Sequence, residues 1–138
     1  MTISSRSPEA EERLADNKRT VGMPYKSTED QEQILVVDWI RRFTDLPVIH
    51  IANQGKRTVS WATRLLRMGM CVGASDLFIP RATAEYHGLF IEMKASKLNK
   101  PTIAQLKFLQ DMKREGFAGE VCHGGDAAIA LIKKIYGL

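Results

Sequence analysis

Asp76, Glu92 and Lys94 carry charge in two stretches that otherwise read as apolar strands. The first stretch is Gly73-Ala74-Ser75-Asp76-Leu77-Phe78-Ile79. The second, after a turn, is Leu89-Phe90-Ile91-Glu92-Met93-Lys94. Strand side chains alternate between faces, so Leu89, Ile91 and Met93 share one face while Phe90, Glu92 and Lys94 share the other. A carboxylate and an ammonium two residues apart in such a strand have two readings. One is a structural ion pair. The other is a metal site, with Lys94 directed at whatever the metal activates and Asp76, at the head of the first strand, as a second carboxylate. The chain has no pattern of a nucleophilic Ser or Cys triad, no Walker loop and no dinucleotide-binding glycine pattern.

The elements that must position these residues follow from periodicity and capping. Residues 1–27 are polar, mixed in charge and aperiodic, and are expected to form a flexible tail ahead of one folded domain at 28–138. A helix is predicted from Thr28 to Phe43, capped by Thr28 with Gln31 as its capping-box partner. Val36, Trp39, Ile40 and Phe43 form its apolar stripe. At 100° per residue Glu29 falls within about 20° of Val36, and Glu32 falls near Trp39, so both acids extend the inward stripe. Acids are also favoured in a first helical turn by the helix dipole, which accounts for the residue type but not for the shared face. Leu46–Ala52 reads as a strand, residues 53–57 as a polar turn, and Thr58–Met70 as a helix. Arg57, just before that helix, and Arg64 and Arg67 within it stand at helical spacing and, with Lys56, form a basic ridge. The alternatives for the ridge are a solvated face and a phosphate-backbone contact. After the basic loop at 95–101, Thr102 caps a helix to Arg114, with Leu106, Leu109 and Met112 buried. Gln105 completes a capping box there. Phe117–Cys122 is a further strand, and Asp126 is expected to cap a last helix to Tyr136, with Ile129, Ile132 and Ile135 inward. The order α-β-α-β-β-α-β-α predicts an α/β fold with a mixed β-sheet flanked by helices. Asp76 and Glu92 are expected to meet at one edge of that sheet.

The net charge of +4 is unevenly distributed: positions 56–100 hold eight Lys/Arg and three acids, two of which are Asp76 and Glu92. A basic surround for two carboxylates suits a polyanionic substrate, although a solvated surface gives the same composition. The two cysteines, Cys71 and Cys122, form no disulfide framework. Without a signal peptide or long apolar run, they read as reduced thiols of a cytoplasmic protein with no membrane association. The three histidines show no zinc-ligand spacing.

The Asp76 to Glu92-Met93-Lys94 arrangement resembles the PD-(D/E)XK nuclease superfamily, with its restriction-endonuclease-like core. The wider pattern is similar to the VRR-NUC branch and its small stand-alone members in phages and bacteria. It comprises Asn53-Gln54-Gly55-Lys56-Arg57, Met68-Gly69-Met70, Gly73 to Phe78, Gly88 to Lys94 and Gln105. Ser75 and Gln54 depart from the proline and glycine frequent in that family, and neither change removes a chemical group. The resemblance implies a metal-dependent phosphodiester hydrolase acting on DNA, structure-selective for branched DNA such as Holliday junctions, and working as a homodimer in a bacterial or phage-infected cell. It implies a helix-borne glutamate at the metal, with Glu29 preferred to Glu32, and a glutamine, Gln105, beside the site. Asp76, Glu92, Glu29 and the carbonyl of Met93 are hard oxygen donors, suited to Mg²⁺ or Mn²⁺. Lys94 would orient the attacking water. Asn53, Lys56, Arg57, Arg64, Arg67, Lys97 and Lys100 are expected to contact DNA. Other readings remain: a general or nicking nuclease with the same catalytic residues, a non-catalytic DNA-binding module, and a purely structural protein. The last leaves charge on buried faces, which is costly when unpaired.

Overall fold

A computed structural model of the chain describes residues 28–52 and 58–138. The elements are α1 (Glu29–Phe43), β1 (Ile49–His50), α2 (Val59–Arg67), β2 (Leu77–Ile79), β3 (Leu89–Lys94), α3 (Ile103–Arg114), β4 (Ala118–His123) and α4 (Gly125–Tyr136). Their order is the one read from the sequence. They build a mixed four-stranded sheet, in the order β1-β2-β3-β4, flanked by four helices. The expected tail at 1–27 and turn at 53–57 lie outside the described residues.

Contacts divide the described chain into two compact units, and β3 and β4 each run through both. The first unit combines residues 28–47, 93–99 and 122–138. Here α1 packs against α4. The α1 stripe of Val36, Trp39, Ile40 and Phe43 is buried, as are Ala128, Leu131 and Ile132 of α4. Lys133 of α4 lies over the Trp39 ring, 5.7 Å from its centroid. The Thr28 capping box forms in full: the Thr28 hydroxyl accepts from Gln31 N–H, and Gln31 Oε1 accepts from Thr28 N–H. The start of α4 differs from the expectation. Its N-cap is Gly124, at φ +94°, and Asp126 sits in the first turn without capping it. The Glu32 carboxylate of α1 accepts the Gly125 N–H at 2.9 Å instead. An acceptor supplied by another helix replaces the local cap.

The second unit holds residues 48–52, 58–92 and 100–121. β2 pairs antiparallel with β1 and with β3, and Leu77 faces Ile91, Phe78 faces Phe90 and Ile79 faces Leu89. Phe78 and Phe90 stack at 4.3 Å, and Phe108 and Phe117 meet Phe90 edge-on. This aromatic cluster, with Leu77, Ile79, Leu89, Ile91 and Leu109, is the core of the unit. β1 is shorter than the strand expected over Leu46–Ala52, because only Ile49 and His50 find partners on β2. The inward face of α3 is rotated from the expected one: Leu106 is 50% exposed, Leu109 is buried, and Phe108 supplies an aromatic contact in its place. α2 spans Val59–Arg67, inside the predicted range, and has no buried residue. Of the two thiols, Cys122 is buried in β4 and Cys71 is exposed.

Gly73, at φ +85°, lies where a Cβ would sit 2.4 Å from the Ala104 carbonyl carbon and 2.8 Å from the Gln105 nitrogen. The chain therefore passes directly over the first turn of α3 on its way to Asp76. Gly69 also has a positive φ, +104°, but nothing lies within 4 Å of its missing side chain. Gly73→Ala adds a backbone clash to left-handed strain and is expected to cost roughly 2 kcal/mol or more. Gly69→Ala carries the strain alone and should cost about 1 kcal/mol. Paired thermal melts check this order, with Gly73→Ala the lower-melting variant.

Candidate metal centre

Asp76 sits immediately before β2 and is 5% exposed, while Glu92 lies inside β3 and is fully buried. The β2–β3 register explains how they meet. Leu77 faces Ile91, so the next position along each strand sets Asp76 opposite Glu92. These are the two central strands, not an edge of the sheet. The expectation of an edge site is corrected accordingly: β1 covers β2 on its other side. The Asp76 carbonyl accepts the Ile51 N–H at 2.9 Å and the His50 Nδ1–H at 2.8 Å. A carbonyl only accepts, so His50 carries its proton on Nδ1 in this bond. His50 thus fixes the backbone of Asp76, a role the sequence did not signal because it depends on the β1–β2 register.

Glu29, in the first turn of α1, is half-buried. Glu29, Asp76 and Glu92 each offer a carboxylate oxygen, and these three oxygens lie within 4.8 Å of one another. Three carboxylates this close repel unless protonated or bridged by a cation. Their hard oxygens match a divalent ion such as Mg²⁺ or Mn²⁺, and neither cysteine belongs to the group. The residues present therefore fit a divalent cation. Glu32 is spoken for elsewhere, at the Gly125 N–H.

Gln105 makes two bonds at once. Its Oε1 accepts the Thr102 N–H at 2.8 Å, closing the capping box of α3. Its Nε2 donates to Glu92 Oε1 at 2.7 Å. One amide, held at both ends, ties the helix start to the buried carboxylate. Lys94 is 8% exposed and lies two residues beyond Glu92 on β3, on the same strand face by alternation. Between them, Met93 is fully buried. The Lys94 carbonyl accepts the Gly124 N–H at 2.8 Å, which anchors the end of the strand. Arg64, Arg67, Lys97 and Lys100 are all exposed. Asn53, Lys56 and Arg57 lie outside the described residues.

The profile of the VRR-NUC domain family matches residues 25–126. The chain belongs to this family. A solved structure described as a "VRR_NUC domain protein" aligns with a TM-score of 0.73 and 29% sequence identity, covering 83% of this chain and 92% of that one. A search of curated proteins found no match. VRR-NUC domains are nuclease-type, DNA-processing domains, and nucleases of this kind typically use a divalent metal. Among the described residues, no helix of this VRR-NUC domain is long and apolar enough to cross a membrane.

The two glutamates of α1 separate in a stability measurement. Glu32→Ala removes the acceptor at the start of α4 and should lower the unfolding free energy in urea by about 1 kcal/mol. Glu29→Gln keeps the Glu32 bond to the Gly125 N–H and is expected to be the less destabilising of the two in EDTA.

Proposed function

We propose that this VRR-NUC domain is a divalent-metal-dependent DNA endonuclease, selective for branched DNA such as four-way junctions and active as a homodimer. The observation that carries the reading is the group of Glu29, Asp76 and Glu92, in a family of nucleases. In this reading Asp76, Glu92, Glu29 and the carbonyl of Met93 hold Mg²⁺ or Mn²⁺. Such an ion supplies polarisation of the scissile phosphate and a bound water of lowered pKa.

The rest of the chemistry falls to the chain's own groups. Lys94 orients the attacking water and offsets the negative charge that builds on phosphorus, as a compact point charge does in a desolvated site. Gln105 holds Glu92 in place through its amide. Arg64 and Arg67 of α2 take the phosphate backbone, Lys97 and Lys100 of the basic loop do the same, and Asn53, Lys56 and Arg57 are assigned to DNA contact from the sequence alone. These contacts position a duplex without reading its sequence. Two copies would bring two centres to two strands of a junction. The setting proposed is the cytoplasm of a bacterium or phage-infected cell.

Cleavage of labelled single strand, duplex, flap, splayed arm and four-way junction, each with Mg²⁺, Mn²⁺ or EDTA, tests the reading. Asp76→Ala and Glu92→Ala should each lower the rate by about a hundredfold or more, the several kcal/mol that metal chemistry contributes, while keeping DNA affinity. Full activity in either variant would remove these carboxylates from the site. Preference for linear duplex over the junction would make the protein a general or nicking nuclease. Arg64→Ala combined with Arg67→Ala should weaken DNA binding and reduce the log–log salt slope by about 2. An unchanged slope would return α2 to the role of a solvated helix.

A further inference from the structure

α2 is an amphipathic helix with no fully buried residue, although Ala62 and Leu65 on its apolar side are half-buried. On a 100° wheel, Ser60, Thr63, Arg64 and Arg67 occupy one side, and Val59, Trp61, Ala62, Leu65 and Leu66 the other. The polar side, with Met68, lines an open groove of about 540 Å³. The apolar side includes Val59 (85% exposed), Trp61 (46%) and Leu66 (49%). The Arg64 guanidinium lies over the Trp61 ring, 6.0 Å from its centroid, so the two sides meet at a cation and an indole. The segment 54–75 contains no Asp or Glu. Among the described residues, an exposed aromatic edge bordered by arginines, with no acid on its own segment, is complementary to a polyanion whose subunits are themselves flat and aromatic. A paired duplex presents its phosphates but hides its bases' faces. An unpaired strand presents both.

We propose that α2 holds an unpaired stretch of DNA, with phosphates in the Arg64–Arg67 groove and a base stacked on Trp61. The inference rests on the nuclease reading for the identity of the strand, and it refines it: the substrate carries unpaired nucleotides close to the bond that is cut. The chain supports this proximity. From the C-cap of α2 at Met68, only a few residues lead to Gly73, which lies against Ala104 and Gln105, and the Gln105 amide bonds Glu92.

Tryptophan emission gives a direct readout, because the protein has two tryptophans and Trp39 is buried. Oligo-dT titrated into the protein in EDTA should quench the emission, and Trp61→Phe should abolish the quench while retaining most of the affinity. Trp61→Ala should weaken oligo-dT binding by about tenfold, within the range that loss of one stacked base produces, and leave blunt-duplex binding unchanged. Circular dichroism of both variants establishes that α2 still forms. An equal loss on duplex and single strand, or a quench that survives in Trp61→Phe, would overturn the proposal. So would sedimentation in which Trp61→Ala dissociates a dimer without changing oligo-dT affinity, since the face would then belong to a second copy. The readout is independent of cleavage. Stacking without any metal-dependent cutting defeats the nuclease reading alone, and cutting without stacking defeats this one alone.

Discussion

The antiparallel pairing of β2 with β3 is the constraint on which the candidate centre depends. Leu77 opposite Ile91 sets Asp76 opposite Glu92 on the two middle strands. A slip of one residue would turn every side chain of a strand to its other face and separate the carboxylates. The register is held by apolar contacts that carry no chemistry themselves: Leu77, Ile79, Leu89 and Ile91 are fully buried, and Phe78 stacks on Phe90. Burial of these side chains supplies the stabilisation against which a fully buried Glu92 can be tolerated. Charge in such a position ordinarily disfavours folding, so the acidic group is retained at a cost that the surrounding core offsets.

Two helix starts serve as positioning devices. At α3, the Gln105 amide satisfies a backbone N–H of the capping box with its oxygen and grips Glu92 with its nitrogen. At α4, the N-terminal N–H of Gly125 is taken by Glu32 from α1. In both places a group needed to end a helix also ties that helix to something distant in sequence. The pair Glu29 and Glu32 illustrates the division of labour. Three residues apart on one helix face, one completes the acidic group and the other docks α4. Residue type is the same for both and their helical angles differ by only about 60°, so it is their partners that distinguish them.

Much of the architecture was legible because its signals are local. The Thr28–Gln31 and Thr102–Gln105 capping boxes join side chains to backbone three residues away, and both formed as read. Alternation along Leu89–Lys94 likewise marked β3 correctly. What was not legible depends on partners. β1 was expected over Leu46–Ala52, but a strand extends only as far as a neighbour pairs with it, and β2 offers partners only to Ile49 and His50. The α3 periodicity admitted Leu106 as inward, whereas the aromatic cluster around Phe90 draws in Phe108 and leaves Leu106 half exposed. Asp126 looked like an N-cap until Glu32, nearly the whole domain away in sequence, took that place. The central position of Asp76 and the His50 bond to its carbonyl were hidden for the same reason: strand order is a tertiary fact.

The unequal burial of the two thiols bears on how assembly is measured. Cys122 is enclosed in β4, while Cys71 is exposed on the segment between α2 and Asp76. Each chain therefore offers a single thiol to solvent. A single site allows one dye or spin label per chain to be attached without touching the core. It also means that air oxidation can couple chains only in twos, through Cys71. A covalent pair formed in storage would pass for a dimer on a sizing column, so any apparent two-chain species has meaning only in the presence of reductant.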